Sequence, residues 1–216
     1  SKYILITNFI KYEIYLIKRI FNIIMKDGYL KVILGSMFSG KTTELIKEYN
    51  RHIACGFECC MINHISDTRY GNKSDETSTH NKVVVQSVKY SNLNNFFTSK
   101  DVNIQKIIQN TKVWFINEGQ FFPDLYKWID HLVNKKNCKV YVCGLDGDFE
   151  RRKFGSILDI IPLCDDLIKL KAICQECKKD GIFTHRLTDE ITQTVIGSDN
   201  YISLCRVCYN SRNCTV

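Results

Sequence analysis

From Tyr29 to Arg51 the chain reads YLKVILGSMFSGKTTELIKEYNR, and this stretch decides the fold. Tyr29–Leu34 is a short β-rich apolar run, the pattern of a buried strand, and it ends at Gly35. Thr42–Arg51 then reads as a helix. Between them lie Gly35, Ser36, Met37, Phe38, Ser39, Gly40, Lys41 and Thr42, which match the P-loop pattern at every defined position. Glycines allow backbone N–H groups to curl around phosphates, and the following helix presents its positive N-terminal end. The pattern assigns Lys41 to the β- and γ-phosphates of ATP and the Thr42 hydroxyl to Mg²⁺.

Further along, Phe57–Ile62, Val113–Ile116 and Val140–Cys143 read as buried strands, and Val83–Val85 as a shorter one. Asn63–Lys82 is polar and loop-like, Phe122–Lys135 suits a helix, and Leu167–Ile173 is expected to be the last strand of the main sheet. Strands alternating with helices predict an α/β fold, P-loop NTPase-like, with a mostly parallel sheet and helices on both faces. A small C-terminal zinc-binding unit follows. The expected division is an extension over 1–27, an α/β unit over 28–173 and a metal-bearing unit over 174–216. VWFI runs straight into Asn117 and Glu118. An acidic residue at such a strand end can hold Mg²⁺ or accept a proton from a substrate hydroxyl.

The net charge is +7. Residues 1–27 hold five positive and two negative charges, which leaves +4 for the rest. Those charges are scattered among acidic residues, so handling of polyanionic nucleotides accounts for them without a nucleic-acid surface. The extension has Ile10, Ile14, Ile17, Phe21 and Ile24 on one helical face, but Lys2, Lys11, Glu13, Lys18 and Arg19 interrupt it. Its longest uncharged run is far short of a membrane span, and no cleavage site for a signal peptide follows. A partner- or membrane-surface helix and a dispensable terminus both fit it.

Eleven cysteines are an odd count. Cys174 with Cys177, and Cys205 with Cys208, form two CxxC pairs, and four thiolates close a tetrahedral site. A structural Zn²⁺ is the reading. A redox pair would need a CxxC opening a helix in a βαβ unit, and Asp189, Glu190 and Asp199 argue against a ribbon that reads nucleic acid. The other cysteines are read as reduced thiols, which points to a reducing, cytoplasmic setting.

Taken together, the chain resembles the type II thymidine kinases, the zinc-bearing P-loop family, over about residues 28–209. The resemblance rests on GSMFSGKTTEL, DTRYG (Asp67–Gly71), THN (Thr79–Asn81), EGQFFPDL (Glu118–Leu125), GLDGDFERRKFGSILDIIPL (Gly144–Leu163), both cysteine pairs and VIGSDNYISLCRVCY (Val195–Tyr209). It implies phosphate transfer from ATP to the 5′-hydroxyl of a deoxynucleoside by a homotetramer, with no membrane or nucleic-acid partner. It assigns Glu118 as general base and Arg69 as a phosphate contact, with Asp67 and Asn117 beside the ATP–Mg²⁺ site. Met37, Phe121, Leu145, Phe149, Phe154 and Tyr201 would enclose the base. A lasso between Cys177 and Cys205 would meet the base edge through backbone near Thr184, Val195 and Gly197. The family normally has Asp where this chain has Asn117, and the lasso turn around Gly197–Tyr201 is one residue shorter. Loss of that carboxylate predicts weaker Mg²⁺ binding unless Asp67 compensates. Neither the choice between thymidine and deoxyuridine nor the strength of end-product feedback is read from these motifs.

Overall fold

A computed structural model describes residues 27–67, 76–78, 84–195 and 197–213. Residues 1–26, Arg69 and the THN motif therefore lie outside the described residues. Strand β1 (Tyr29–Gly35) feeds helix α1 (Lys41–Ala54) through the glycine loop. Then come β2 (Cys59–His64), β3 (Glu76–Ser78), β4 (Val84–Gln86), β5 (Val88–Tyr90), α2 (Leu93–Phe97) and α3 (Val102–Asn110). Strand β6 (Val113–Ile116), α4 (Leu125–Asp130), β7 (Lys139–Gly144) and β8 (Asp166–Leu170) complete the main unit.

Six strands form one sheet in the order β5-β2-β6-β7-β1-β8, every pairing parallel. β1 lies between β7 and β8, and β7 separates it from β6. Nearly continuous apolar strands suit a parallel sheet covered on both faces. Alternation then sorts them: Leu30, Val32, Leu34, Trp114, Ile116, Val140 and Val142 pack with Leu93, Phe96, Leu125 and Ile129 from α2 and α4. Ile33, Met61, Phe115, Tyr141 and Cys143 face the other way onto Leu45 and Ile46 of α1.

The structure corrects three details of the sequence reading. Leu167–Ile173 is not one strand of the main sheet: β8 ends at Leu170, and β9 (Ala172–Ile173) pairs antiparallel with β10 (Asp180–Gly181). Leu170 is in register with Gly35, where β1 turns into the loop, so no partner backbone continues past that point. The helix expected over Phe122–Lys135 is α4 followed by one wider π-type turn over His131–Lys135. The short strand near Val83–Val85 is β4, paired with β3 in a separate two-stranded sheet rather than in the main one. The sheet edge is instead β5, missed because three residues carry too little periodicity. Helices α2 and α3 were missed as well, although Asn92 and Asp101 are the side-chain N-caps that begin them.

Beyond β10, β11 (Phe183–Arg186) pairs antiparallel with β12 (Tyr201–Leu204), and α5 (Arg206–Asn213) ends the described chain. This small lobe has a core of Cys174, Ile202, Leu204 and Tyr209.

Candidate active site

The loop after β1 is shaped by close backbone contact. A Cβ on Gly35, whose φ is +154°, would lie 2.5 Å from Ser39 Oγ and 2.6 Å from Leu170 O. Lys41 is buried and folds back over the loop, its Nζ donating to Ser36 O at 2.8 Å. Thr42 Oγ1 donates toward Asn117 Oδ1 at 3.4 Å, which ties the first turn of α1 to the end of β6 across the intervening strand. Phe38 and Glu118 both hold left-handed backbones, with φ of 64° and 55°. Such conformations cost about 1–3 kcal/mol and gather where function demands them.

Asn117 is fully buried, and its amide is engaged at both ends. Its Nδ2 donates to Asn63 Oδ1 at 3.1 Å and to Asp67 Oδ2 at 3.3 Å, while Asn63 Nδ2 also reaches Asp67 Oδ2 at 3.0 Å. Cys143 Sγ donates to Asn117 Oδ1 at 3.0 Å. The Asp67 carboxylate is thus held beside the residue that departs from the family pattern. Burial lowers the pKa of the neighbouring His64, against its bond to Ser91 O and the charge of Asp67. A neutral imidazole there packs on Phe121 and Phe122.

Glu118 is 5% exposed and accepts from Gln120 Nε2 at 2.6 Å. Gln120 is fixed in turn, because its Oε1 accepts from Leu145 N at 3.0 Å. Gly155 packs directly on it: a Cβ there would stand 1.9 Å from Gln120 O. The carboxylate therefore has a fixed direction before any ligand binds.

A cleft with about 960 Å³ of empty space, open solvent at its mouth included, gathers these groups at the carboxyl ends of the strands, where ligands bind in open α/β sheets. Met37, Phe38, Gly40, Lys41, Thr42, Asp67 and Glu118 line the end nearest the glycine loop. Phe121, Leu145, Phe149, Phe154, Thr184, Val195, Gly197 and Tyr201 line the rest, with Phe121 and Phe154 edge-to-face at 5.4 Å. Gly35, Ser36, Ser39 and Asn117 lie behind the wall rather than on it. The Ser36 hydroxyl points into the small lobe, donating to Gly181 O and pairing with Ser203 Oγ at 3.0 Å. Thr184 Oγ1 accepts from Met37 N at 3.0 Å, so its side chain joins the two lobes.

The sequence reading missed Asp148 and Gln193, which line the same cleft and bond to each other at 2.9 Å. Asp148 stood within the quoted GLDGDF motif. Gln193 carried no signal, since its partner is 45 residues away.

The Sγ atoms of Cys174, Cys177, Cys205 and Cys208 all lie within 4.8 Å of one another. A tetrahedral Zn²⁺ with bonds of about 2.3 Å sets its sulfurs about 3.8 Å apart, so the donor set fits that ion. Burial pushes the Cys174 thiol up, but backbone N–H groups of Cys177, Cys205 and Glu176 outweigh it and bring the thiol down to about 6. Cys205 is lowered too, chiefly by the Cys208 backbone N–H, while hydrogen bonding to Cys205 and Glu176 raises Cys208. From this cluster the lobe reaches back to the cleft, where Tyr209 Oη donates to Phe149 O at 2.5 Å.

Known proteins resemble this chain over most of its length. The family model described as "Thymidine kinase" matches residues 28–209. The cytosolic thymidine kinase of Bos taurus is 40% identical over 183 residues, covering 84% of this chain and 72% of that one. The human cytosolic thymidine kinase is 37% identical, covering 84% and 73%. The thymidine kinase of Myxoma virus (strain Uriarra) is 36% identical over 186 residues, covering 86% and 98%. A match of this extent, on a cleft built this way, places the chain in the thymidine kinase family.

Proposed function

We propose that the chain phosphorylates the 5′-hydroxyl of thymidine with the γ-phosphate of ATP. The observation that carries this reading is that Glu118 shares one cleft with Lys41 and Thr42 on one side and an apolar, aromatic-walled chamber on the other. A planar base between Met37, Leu145, Phe149 and Phe154 would direct the sugar hydroxyl toward the phosphate loop. Glu118 takes the hydroxyl proton as the 5′-oxygen bonds to the γ-phosphorus, and the bond to the β-phosphate oxygen breaks to release ADP. Lys41 draws charge from the phosphates, and Arg69 assists as the transferring group develops charge. Thr42, with Asp67 and Asn117 beside it, would hold Mg²⁺, which would supply positive charge to the phosphates.

Zn²⁺ is structural in this reading, because four cysteines leave no open position. Residues 28–173 act as the phosphotransfer unit, 174–216 cap the nucleoside, and 1–27 take no part in chemistry. The protein works as a cytoplasmic homotetramer in nucleotide salvage. Among the described residues, no helix is long and apolar enough to cross a membrane.

The test is ADP release against a panel of deoxynucleosides. Turnover that appears only with thymidine or deoxyuridine supports the reading. ATP hydrolysis without nucleoside, or stimulated by polynucleotide, refutes it.

A further inference from the structure

Between β11 and β12 the chain leaves the small lobe and returns, with Arg186 and Tyr201 paired in register at the base. Residues 187–194 are all exposed, and Ile191 is 91% exposed, so this loop has no core of its own. Yet its far side, at Gln193, Val195 and Tyr201, forms one wall of the cleft. Something other than apolar burial must hold that wall in place.

Arg186 is only 4% exposed. Its Nη1 donates to Glu190 O at 2.6 Å and Thr192 O at 2.5 Å. Its Nη2 donates to Gln193 O at 3.0 Å and Tyr201 Oη at 2.7 Å. The Tyr201 hydroxyl in turn meets Val195 N and Val195 O, each at 3.2 Å. The guanidinium also lies 3.7 Å from the centroid of the Phe149 ring, whose other surroundings include the cleft. One buried cation thus gathers three loop carbonyls, a hydroxyl and a cleft aromatic. Only a planar fork with several donors can do so at once; an ammonium is a point charge. Carbonyl dipoles and the ring face offset the burial of the charge at the two Nη groups.

We propose that Arg186 is a positioning residue that fastens residues 190–195 against Phe149 and Tyr201, and so sets affinity for the nucleoside without touching it. The proposal rests on reading the cleft as the nucleoside site. Its effect falls on the base end, because Lys41 and Thr42 begin α1 and Glu118 follows β6, all outside this loop.

Arg186→Lys keeps the charge and removes the fork. The variant is expected to raise thymidine KM about tenfold or more, with kcat and ATP KM within about threefold of the parent. In the ligand-free protein, amides of residues 190–195 should exchange hydrogen several times faster, with β1 and α1 unchanged. Tyr201→Phe, which removes only the hydroxyl, is the second variant and should speed exchange in the same segment, Val195 most. It decides the matter if Arg186→Lys does not yield folded protein. Parental exchange rates in this segment for the variants would overturn the proposal, as would faster exchange with an unmoved thymidine KM. If the parent itself fails to phosphorylate thymidine, the functional reading fails, while the exchange rates still decide whether Arg186 fastens the loop.

Discussion

The two ends of the cleft are built on opposite plans. The phosphate end comes from eight consecutive residues, Gly35–Thr42, on a strand-to-helix turn whose flanks, Leu34 and Leu45, are buried in the sheet's two cores. The nucleoside end comes from separate segments: Met37, the turn after Glu118, the loop after β7, β11 and the loop before β12. The last two belong to a small lobe with a buried core of four residues, two small sheets and a cysteine cluster. Phosphate is recognised through backbone N–H groups and a helix end, which a contiguous motif can supply. A flat base needs walls on several sides, and walls come from tertiary assembly. The phosphate end should therefore fail chemically when altered, and the nucleoside end should fail in affinity.

Glu118→Gln offers the largest effect with which to break that comparison. The amide keeps the shape and can still meet Gln120, but it cannot take a proton at neutral pH. The expected loss in kcat is about 10²–10⁴-fold, the range for a removed general base, with ATP affinity nearly unchanged. Steady-state rates with binding measured separately by calorimetry decide it. Near-parental turnover would remove Glu118 from the chemistry.

Next comes the metal. The four thiols are expected to hold one Zn²⁺ per chain, because a core as small as Cys174, Ile202, Leu204 and Tyr209 does not hold a lobe together unaided. Cys174→Ser should lower zinc content and raise thymidine KM about tenfold, since Thr184, Tyr201 and the Tyr209–Phe149 bond all hang on that lobe. ATP KM should move less, although Ser36 also bonds to Ser203, so a small effect at the phosphate end is expected. Elemental analysis of the parent showing no stoichiometric zinc would end this account. An equal rise in both KM values would show that the two ends are not separable.

How far each end was legible in the sequence follows the same division. The P-loop and its flanking strand and helix were plain, because periodicity and glycine spacing are local signals. Glu118 was visible as a carboxylate after an apolar run. The cysteine pairs were legible by spacing, and the structure brings their sulfurs together. The aromatic wall came only from resemblance, since an isolated Phe121 or Phe154 looks like core. Arg186, Asp148 and Gln193 were not read at all. A guanidinium collecting carbonyls from its own loop, or an Asp bonding a Gln 45 residues on, leaves no period or motif. The break in the last strand was hidden for a similar reason: it depends on where β1 ends beside it.

The smallest expected effect, and the sharpest test of the phosphate end, concerns Asn117. The sequence alone suggests that restoring Asp there should tighten Mg²⁺, but the structure places a carboxylate, Asp67, 3.3 Å from the Asn117 amide. Asn63 lies between, accepting from Asn117 Nδ2 and donating to Asp67. Which way the Asn63 amide faces does not alter the outcome. It carries one oxygen and one nitrogen, so with acidic groups on both sides one contact becomes acceptor against acceptor. Asn117→Asp would also set a second negative charge in a fully buried position beside the first. The expected cost is about 1–3 kcal/mol of stability, that of a buried polar group left unsatisfied. On the proposed reading Asp67 supplies negative charge beside the ion whichever residue stands at 117, so the Mg²⁺ concentration for half-maximal rate should change by less than about threefold. Thermal unfolding without ligands and Mg²⁺ titration at fixed ATP measure the two quantities separately. Adding Asn63→Lys should restore much of the lost stability, because a cation between the two carboxylates satisfies both. An Asn117→Asp protein as stable as the parent, needing much less Mg²⁺, would show that the amide cluster is not what holds Asp67.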